Sequence, residues 1–513
     1  MTDREPAEKT TRRLSLRHRL SAGLVGGLLA VPVAMTFDPY GIYAPEDHLS
    51  TTLLAAAAGS TVSALSAPIL RLKGLGGRAL STISVLVVLV VCHGAGLSTM
   101  FSLAVGRNVL YFSLLLSVII GAWSLYRNCR LAEAIIIALL PPLLLCTAQY
   151  ALFLRGPNID CNEVASRAGV STVALWPNLG DTSLAGSVPY DVLGDDEEGI
   201  VFASLVDQRD RPGCGSLAAW GPELGPPLVM TDELRAPEAS GAAQCRVTMR
   251  MRLDPKRNLL FVPAASYADT LDPRLLIYRY ELTAGGGVGV SLVHSGPLPI
   301  DPSDMLLIDE TLVVLGYPRR FGENSAGRLA SIDISDPTKP QVERVVNFSP
   351  GGWMTEYAAP SVKDGLLYVT DVFGHLFEVQ LKDFSTRRTV RPGASTLEAA
   401  VWDNVLLAAA PYARAVLQID RESLSILGRL PAGNAMREIV TDPQRDRVFS
   451  TSYGDGSLYG WQLSEPGGAS KKSGSLSLGS PLRGLDFLPR SGDLLVGSGC
   501  GVFRIDPEEA LQL

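Results

Sequence analysis

Between residues 215 and 506 one short pattern returns seven times, and it constrains the fold of this 513-residue chain more than any other feature. A starting residue is followed by an apolar residue two positions on, an apolar or aromatic residue at five, and often Asp, Glu or Gln at six. The copies start at Gly215, Leu275, Gly327, Gly374, Arg414, Gly456 and Cys500, at spacings of 60, 52, 47, 40, 42 and 44 residues. Each follows a β-rich run, clearest in Leu259-Leu-Phe-Val262, Leu312-Val-Val-Leu315, Leu366-Leu-Tyr-Val369, Val405-Leu-Leu407 and Leu494-Leu-Val496. Turns introduce several of these runs: Asp254-Pro-Lys-Arg-Asn258, Asp442-Pro-Gln-Arg-Asp446 and Leu488-Pro-Arg-Ser-Gly-Asp493. A strand, a tight turn and a second strand at this period describe a radial array of small antiparallel sheets.

Asp442-Pro-Gln-Arg-Asp-Arg-Val-Phe449 and Gly456-Ser-Leu-Tyr-Gly-Trp-Gln-Leu463 carry a resemblance to β-propellers of the YVTN/WD40-like kind. The resemblance implies seven blades and leaves activity open, because this superfold hosts many unrelated functions. The Gly-His and Trp-Asp dipeptides of WD40 repeats proper occur only at Gly374-His375 and Trp402-Asp403, in different blades and out of register. The last blade has room for three strands before Leu513. An open ring would leave an exposed strand edge, and Ser171-Thr-Val-Ala-Leu-Trp176 is predicted to supply the missing outer strand. The propeller is thus expected over 171–513, after a linker at 155–170.

The first 155 residues read differently. They hold 13 Lys and Arg against 7 Asp and Glu, a net +6, whereas the remainder holds 32 against 45, a net −13. Five apolar stretches, 20–35, 52–70, 80–103, 109–126 and 131–154, predict an α-helical transmembrane bundle behind a basic cytoplasmic tail at 1–19. The stretch 52–70 is rich in Ala, Ser and Gly, with Ala55, Gly59, Ser63 and Ala67 at four-residue steps that suit close helix packing. Five spans place Arg71, Lys73, Arg78, Arg127 and Arg130 on the cytoplasmic side, as the positive-inside rule requires. The expectation is a protein integral to the cytoplasmic membrane, N-terminus inside, with everything after residue 154 outside, in the periplasm or the extracellular space. An exported part this acidic argues against a nucleic-acid partner, because phosphate contacts need clustered Lys and Arg.

Four cysteines fall in that exported part, Cys161, Cys214, Cys245 and Cys500. An even number in an oxidising compartment points to disulfides. Pairing Cys161 with Cys500 would staple the ring shut and leave Cys214 with Cys245. The two histidines, His294 and His375, are too few for a His-rich metal site, and no Cys-x-x-Cys or Gly-x-Ser-x-Gly motif appears. The densest acidic run, Asp195-Asp196-Glu197-Glu198, offers oxygen ligands that could suit Ca2+. Otherwise no catalytic residue and no cofactor emerges. The expected function is a membrane-anchored, non-catalytic platform that binds a protein or small molecule on its propeller. Two readings compete with it. One is a propeller enzyme, lactonase-like or quinoprotein-like, using channel carboxylates and a cation. The other is an accessory subunit of a larger membrane complex.

Overall fold

In the computed structural model the described residues are 159–176, 187–207, 215–230, 234, 246–265, 272–317, 327–347, 355–361, 364–371, 375–390, 392, 396–410, 414–433, 436–479 and 482–513. They belong to the second of the two units into which the chain divides, Phe153–Leu513. The basic tail 1–19 and the five predicted spans between 20 and 154 lie outside them. Among the described residues no helix is long and apolar enough to cross a membrane.

The described strands form seven antiparallel sheets. Blade 1 comprises Ser187–Asp195, Ile200–Asp207, Gly215–Trp220 and Leu228–Met230. Blade 2 has an innermost strand in two pieces, Val247–Thr248 and Arg252–Asp254, then Leu259–Ala265, Arg274–Leu282 and Val288–Pro297. Blade 3 runs through Asp301–Ile308, Thr311–Tyr317, Arg328–Asp333 and Gln341–Asn347, and blade 4 through Thr355–Ser361, Leu366–Asp371, Leu376–Gln380 and Thr386–Val390. Blade 5 is Ala399–Trp402, Val405–Ala410, Ala415–Asp420 and Ile426–Pro431. Blade 6 is Met436–Asp442, Arg447–Ser452, Ser457–Gln462 and Lys472–Ser477. Blade 7 has Leu482–Phe487, Leu494–Ser498 and Gly501–Ile505, and its outer strand is Val170–Leu175 from the other end of the domain. Each innermost strand touches the next, from blade 1 round to blade 7 and back, so the ring is a closed seven-bladed β-propeller.

The repeated pattern is the third strand of each blade, and the β-rich runs are the second. These strands sit between two neighbouring blades, so both faces are buried and near-continuous apolar runs result. Alternate residues of one strand enter different cores. In Leu259–Ala265, Leu260, Val262 and Ala264 pack on Ile200 and Phe202 of blade 1, while Leu259 and Phe261 pack on Met305 and Val314 of blade 3. Seven such inter-blade cores encircle the domain. Trp461 lies wholly buried in the core between blades 5 and 6. Trp461→Ala should cost about 3–5 kcal/mol, read as a lower urea midpoint of the purified protein.

Closure follows the sequence expectation: Val170 pairs with Ile505 and Leu175 with Gly501, around a bulge at Val173. The region predicted as a linker differs. Residues 161–165 form a short helix, Cys161–Ala165, whose Asp160 side chain accepts from the Asn162 amide at 2.9 Å. Val164 is buried in the core between blades 6 and 7, and Arg167 donates to the Ser477 carbonyl at 2.8 Å. The strand begins at Val170 because the segment before it is already seated. Cys161 and Cys500 are joined by a disulfide, with Cα atoms 5.3 Å apart.

Candidate functional site

The innermost strands bring together the most unusual chemistry of the domain. In blades 1, 3, 4, 6 and 7 their pairing with the second strand is interrupted near the start, at Tyr190, Ser303, Glu356, Arg437–Glu438 and Arg483–Gly484. Blade 2 achieves the same by breaking its strand around Met249, Arg250 and Met251. A bulge releases side chains from strict alternation and re-aims them. In blade 6 the displaced backbone is held by hydroxyls: Ser450 donates to the Glu438 carbonyl, and the Glu438 amide donates to Thr451 Oγ1 at 3.2 Å.

The re-aimed side chains meet along the axis. Arg250 of blade 2 forks onto Glu398, just ahead of blade 5, with two contacts of 2.6 Å. Blades 2 and 5 are as far apart as a ring of seven allows, so this pair crosses the channel. The same guanidinium lies 3.3 Å from Glu438 of blade 6, and Glu398 also accepts from the Ile439 amide at 3.2 Å. Arg252 pairs with Asp304 of blade 3 at 2.9 Å. Asp191 of blade 1 accepts from the Met251 amide at 2.7 Å, and Asp486 of blade 7 accepts from the Gly194 amide at 2.9 Å. Two tyrosine rings, Tyr190 and Tyr453, flank Arg483 at 5.0 and 4.9 Å and Arg437 at 5.9 Å each. Carboxylates thus stitch neighbouring innermost strands where no ladder hydrogen bonds can, and one arginine ties opposite sides.

Burial dominates the electrostatics, since removing a carboxylate from water disfavours its charge. It pushes Asp191 up to about 7 against the opposing pull of Arg250 and Arg252. Asp486 is pushed up to about 6, again by burial, with the Gly194 and Phe487 amides resisting. Glu398 and Glu438 are raised by burial too, while Arg250 holds both down. The cluster is a buried ionic network whose charges answer one another. It joins side chains of blades 2, 5 and 6 across the axis.

Sequence reasoning missed these residues, although a signal exists. Counting back from the turn residues Asp254, Asp442 and Leu488, the positions five and four earlier are Met249-Arg250, Arg437-Glu438 and Arg483-Gly484. The same offset from Asp195 gives Tyr190-Asp191. The acidic run that sequence did single out is dispersed by its turn. Asp195 is buried, accepts from the Glu197 and Glu198 amides at 3.0 and 3.1 Å, and receives the Tyr280 hydroxyl of blade 2 at 2.6 Å. Asp196 accepts from the Arg490 and Ser491 amides of blade 7. Glu197 lies 3.5 Å from Arg490 at the exposed rim, and Glu198 is exposed. Asp195 turns inward to Tyr280 while Asp196 and Glu197 meet Arg490 at the rim, and among the described residues no three His, Cys, Asp or Glu side chains are grouped to hold a metal. Cys214 and Cys245 lie outside the described residues.

No family model matches the chain, and no curated protein matches it. Among solved structures, a chain in the crystal structure of a mitotic checkpoint complex is similar at 10% identity, with a TM-score of 0.45. The match covers 62% of this chain and 92% of that one.

Proposed function

We propose that the chain displays its propeller as a non-catalytic binding platform outside the cytoplasmic membrane, anchored by the five spans of 20–154 with the N-terminus inside. The observation that carries this reading is the ion pair that crosses the axis. Arg250 is held by Glu398 and Glu438, and Arg437 and Arg483 lie over Tyr190 and Tyr453, so the charged groups of the axis are engaged within the protein. That leaves the faces and the rim for a partner. The three longest connections, 176–186, 231–246 and 318–327, all leave from the face on which the innermost strands begin. On the other face, first and second strands are joined by two to six residues. Long connections on a rigid scaffold are where binding residues concentrate.

In-cell crosslinking of the full chain tests the platform. The expected result is a defined protein partner whose crosslinks map to 176–186, 231–246 or 318–327. Turnover of a substrate by the purified protein, with no crosslinked partner, would sink the reading. The Cys161–Cys500 disulfide supports the location, because such bonds persist in oxidising compartments. A reporter fused after Leu513 should therefore signal from outside the membrane, and a cytoplasmic signal would overturn that location.

The same compartment would join Cys214 to Cys245. Their chain neighbours are already in contact, since the Gly215 amide donates to the Arg246 carbonyl at 2.9 Å. Peptide mapping without reduction should recover both pairs, Cys161–Cys500 and Cys214–Cys245. Alkylation of Cys214 in unreduced protein would exclude the second.

A further inference from the structure

We propose that Asp191 is a proton-operated positioning residue for the clamp that Arg250 throws across the propeller axis. Asp191 sits in the bulge of blade 1, and its Oδ2 accepts from the Met251 amide at 2.7 Å. Met251 lies in the break of blade 2's innermost strand, between the two arginines that leave it in different directions. Arg250 goes to Glu398 and Glu438, and Arg252 to Asp304. One carboxylate therefore fixes the backbone from which both guanidiniums project, and it attracts both of them as well. When it is ionised, Arg250 is pulled between Asp191 and the Glu398–Glu438 pair. When it is protonated, the pull from Asp191 is lost.

The surroundings of Asp191 are defined on each side. Blade 2 supplies Arg250 and Arg252, and blade 6 supplies Glu438. Blade 7 approaches by backbone: Gly484 adopts φ +80, and a Cβ there would lie 2.8 Å from the Val192 amide nitrogen. The charged residues of that strand face elsewhere, Arg483 over Tyr190 and Asp486 onto the Gly194 amide. On its own blade Asp191 is paired with Ser204. Two nearby cations would ordinarily keep a carboxylate ionised at any physiological pH. Burial reverses this and brings the midpoint to about 7, where proton uptake is part of the working range.

The sign follows from linkage. A carboxyl raised in the folded state binds its proton more tightly there than in the unfolded chain. Its contribution to stability is full below the unfolded value of about 4, is lost as pH rises toward 7, and is flat above. For one proton the unfolding constant rises about tenfold per pH unit between roughly pH 5 and 6.5. Asp191→Asn fixes the neutral state and keeps an acceptor for Met251.

Urea unfolding and amide exchange of the full chain, from pH 5 to 8, test this. Against wild type, Asp191→Asn should match at pH 5, outlast it at pH 8, and lack about one tenfold-per-unit step of slope. Exchange protection of 436–439, which carries Glu438, should titrate with the same midpoint in wild type and lose that midpoint in the variant. An unchanged slope, or an exchange midpoint that survives the substitution, overturns the proposal. Should the variant fold poorly, isotope-edited infrared spectra of wild-type protein labelled at aspartate carboxyls decide instead. A protonated carboxyl band titrating near neutrality and surviving Asp486→Asn is expected, and its absence above pH 5 overturns the proposal.

Discussion

Arg250→Met will lower the stability of the propeller at pH 7.5 by about 3–5 kcal/mol, the cost of stranding buried charge when one partner of an internal ion pair is removed. Methionine keeps much of the stem volume and none of the charge. Glu398 then retains only the Ile439 amide, and Glu438 loses the guanidinium 3.3 Å away, with its Oε2 making no hydrogen bond among the described residues. Both carboxyls are raised by burial, and Arg250 is the largest influence holding each of them down. Without it they rise further, so the penalty shrinks as pH falls and protons replace the missing cation.

The network also predicts its own rescue. Combining Arg250→Met with Glu398→Gln and Glu438→Gln removes the three charges of the clamp together, and neutralising all partners of a buried ion pair costs less than stranding one of them. The triple variant should recover most of the loss. Urea titrations of the single and triple variants at pH 5.5 and 7.5 check this, with the gap between them widest at pH 7.5. Equal stability of the two at both pH values would mean that Arg250 acts by packing, and that the axis is not an electrostatic clamp.

Much of the ring was legible because second and third strands are buried on both faces. Their apolar runs, such as Val405-Leu-Leu407, survive any choice of neighbouring blade. The closing strand was legible for a related reason. Counting strands in the last blade left one edge open, and Ser171–Trp176 was the apolar run with nowhere else to go. The axial site was not legible, because its logic lies in the ring and not in the strand. Arg250 and Glu398 are 148 residues apart in the chain, and nothing local marks them as partners. Their bulges also break the alternation by which a strand is read, so Met436-Arg437-Glu438-Ile439 looks like a poor strand when it is a bulged one. The Asp195–Glu198 run misled in the opposite way. Its acids are adjacent in sequence, but a tight turn buries Asp195 against Tyr280 and leaves Asp196 and Glu197 beside Arg490 at the rim.

The largest effect outside the axis is expected at the latch. Cys161 and Cys500 close a loop of 339 residues, and in the chain-entropy account a bridge of this length stabilises by about 6 kcal/mol. Cys161 is the side to change. It is partly exposed, whereas Cys500 is buried, with its sulfur packed where Gly479 passes, so serine there would add a buried hydroxyl to the lost bridge. Cys161→Ser should lower stability by that amount while blade 7 stays closed, because the pairing of Val170–Leu175 with Gly501–Ile505 and the Arg167–Ser477 bond are untouched. A dithiol reductant acting on wild type should reproduce the loss. Its effect on Cys161→Ser is then the informative quantity, read from urea midpoints with and without reductant. No further loss would mean that Cys161–Cys500 is the only bridge contributing to stability. A second, smaller loss that disappears in Cys161→Ser/Cys214→Ser would place a second bridge between blades 1 and 2. If reductant destabilises wild type by less than about 1 kcal/mol, strand pairing and the seated helix hold the ring without the bridge, well below the entropic expectation.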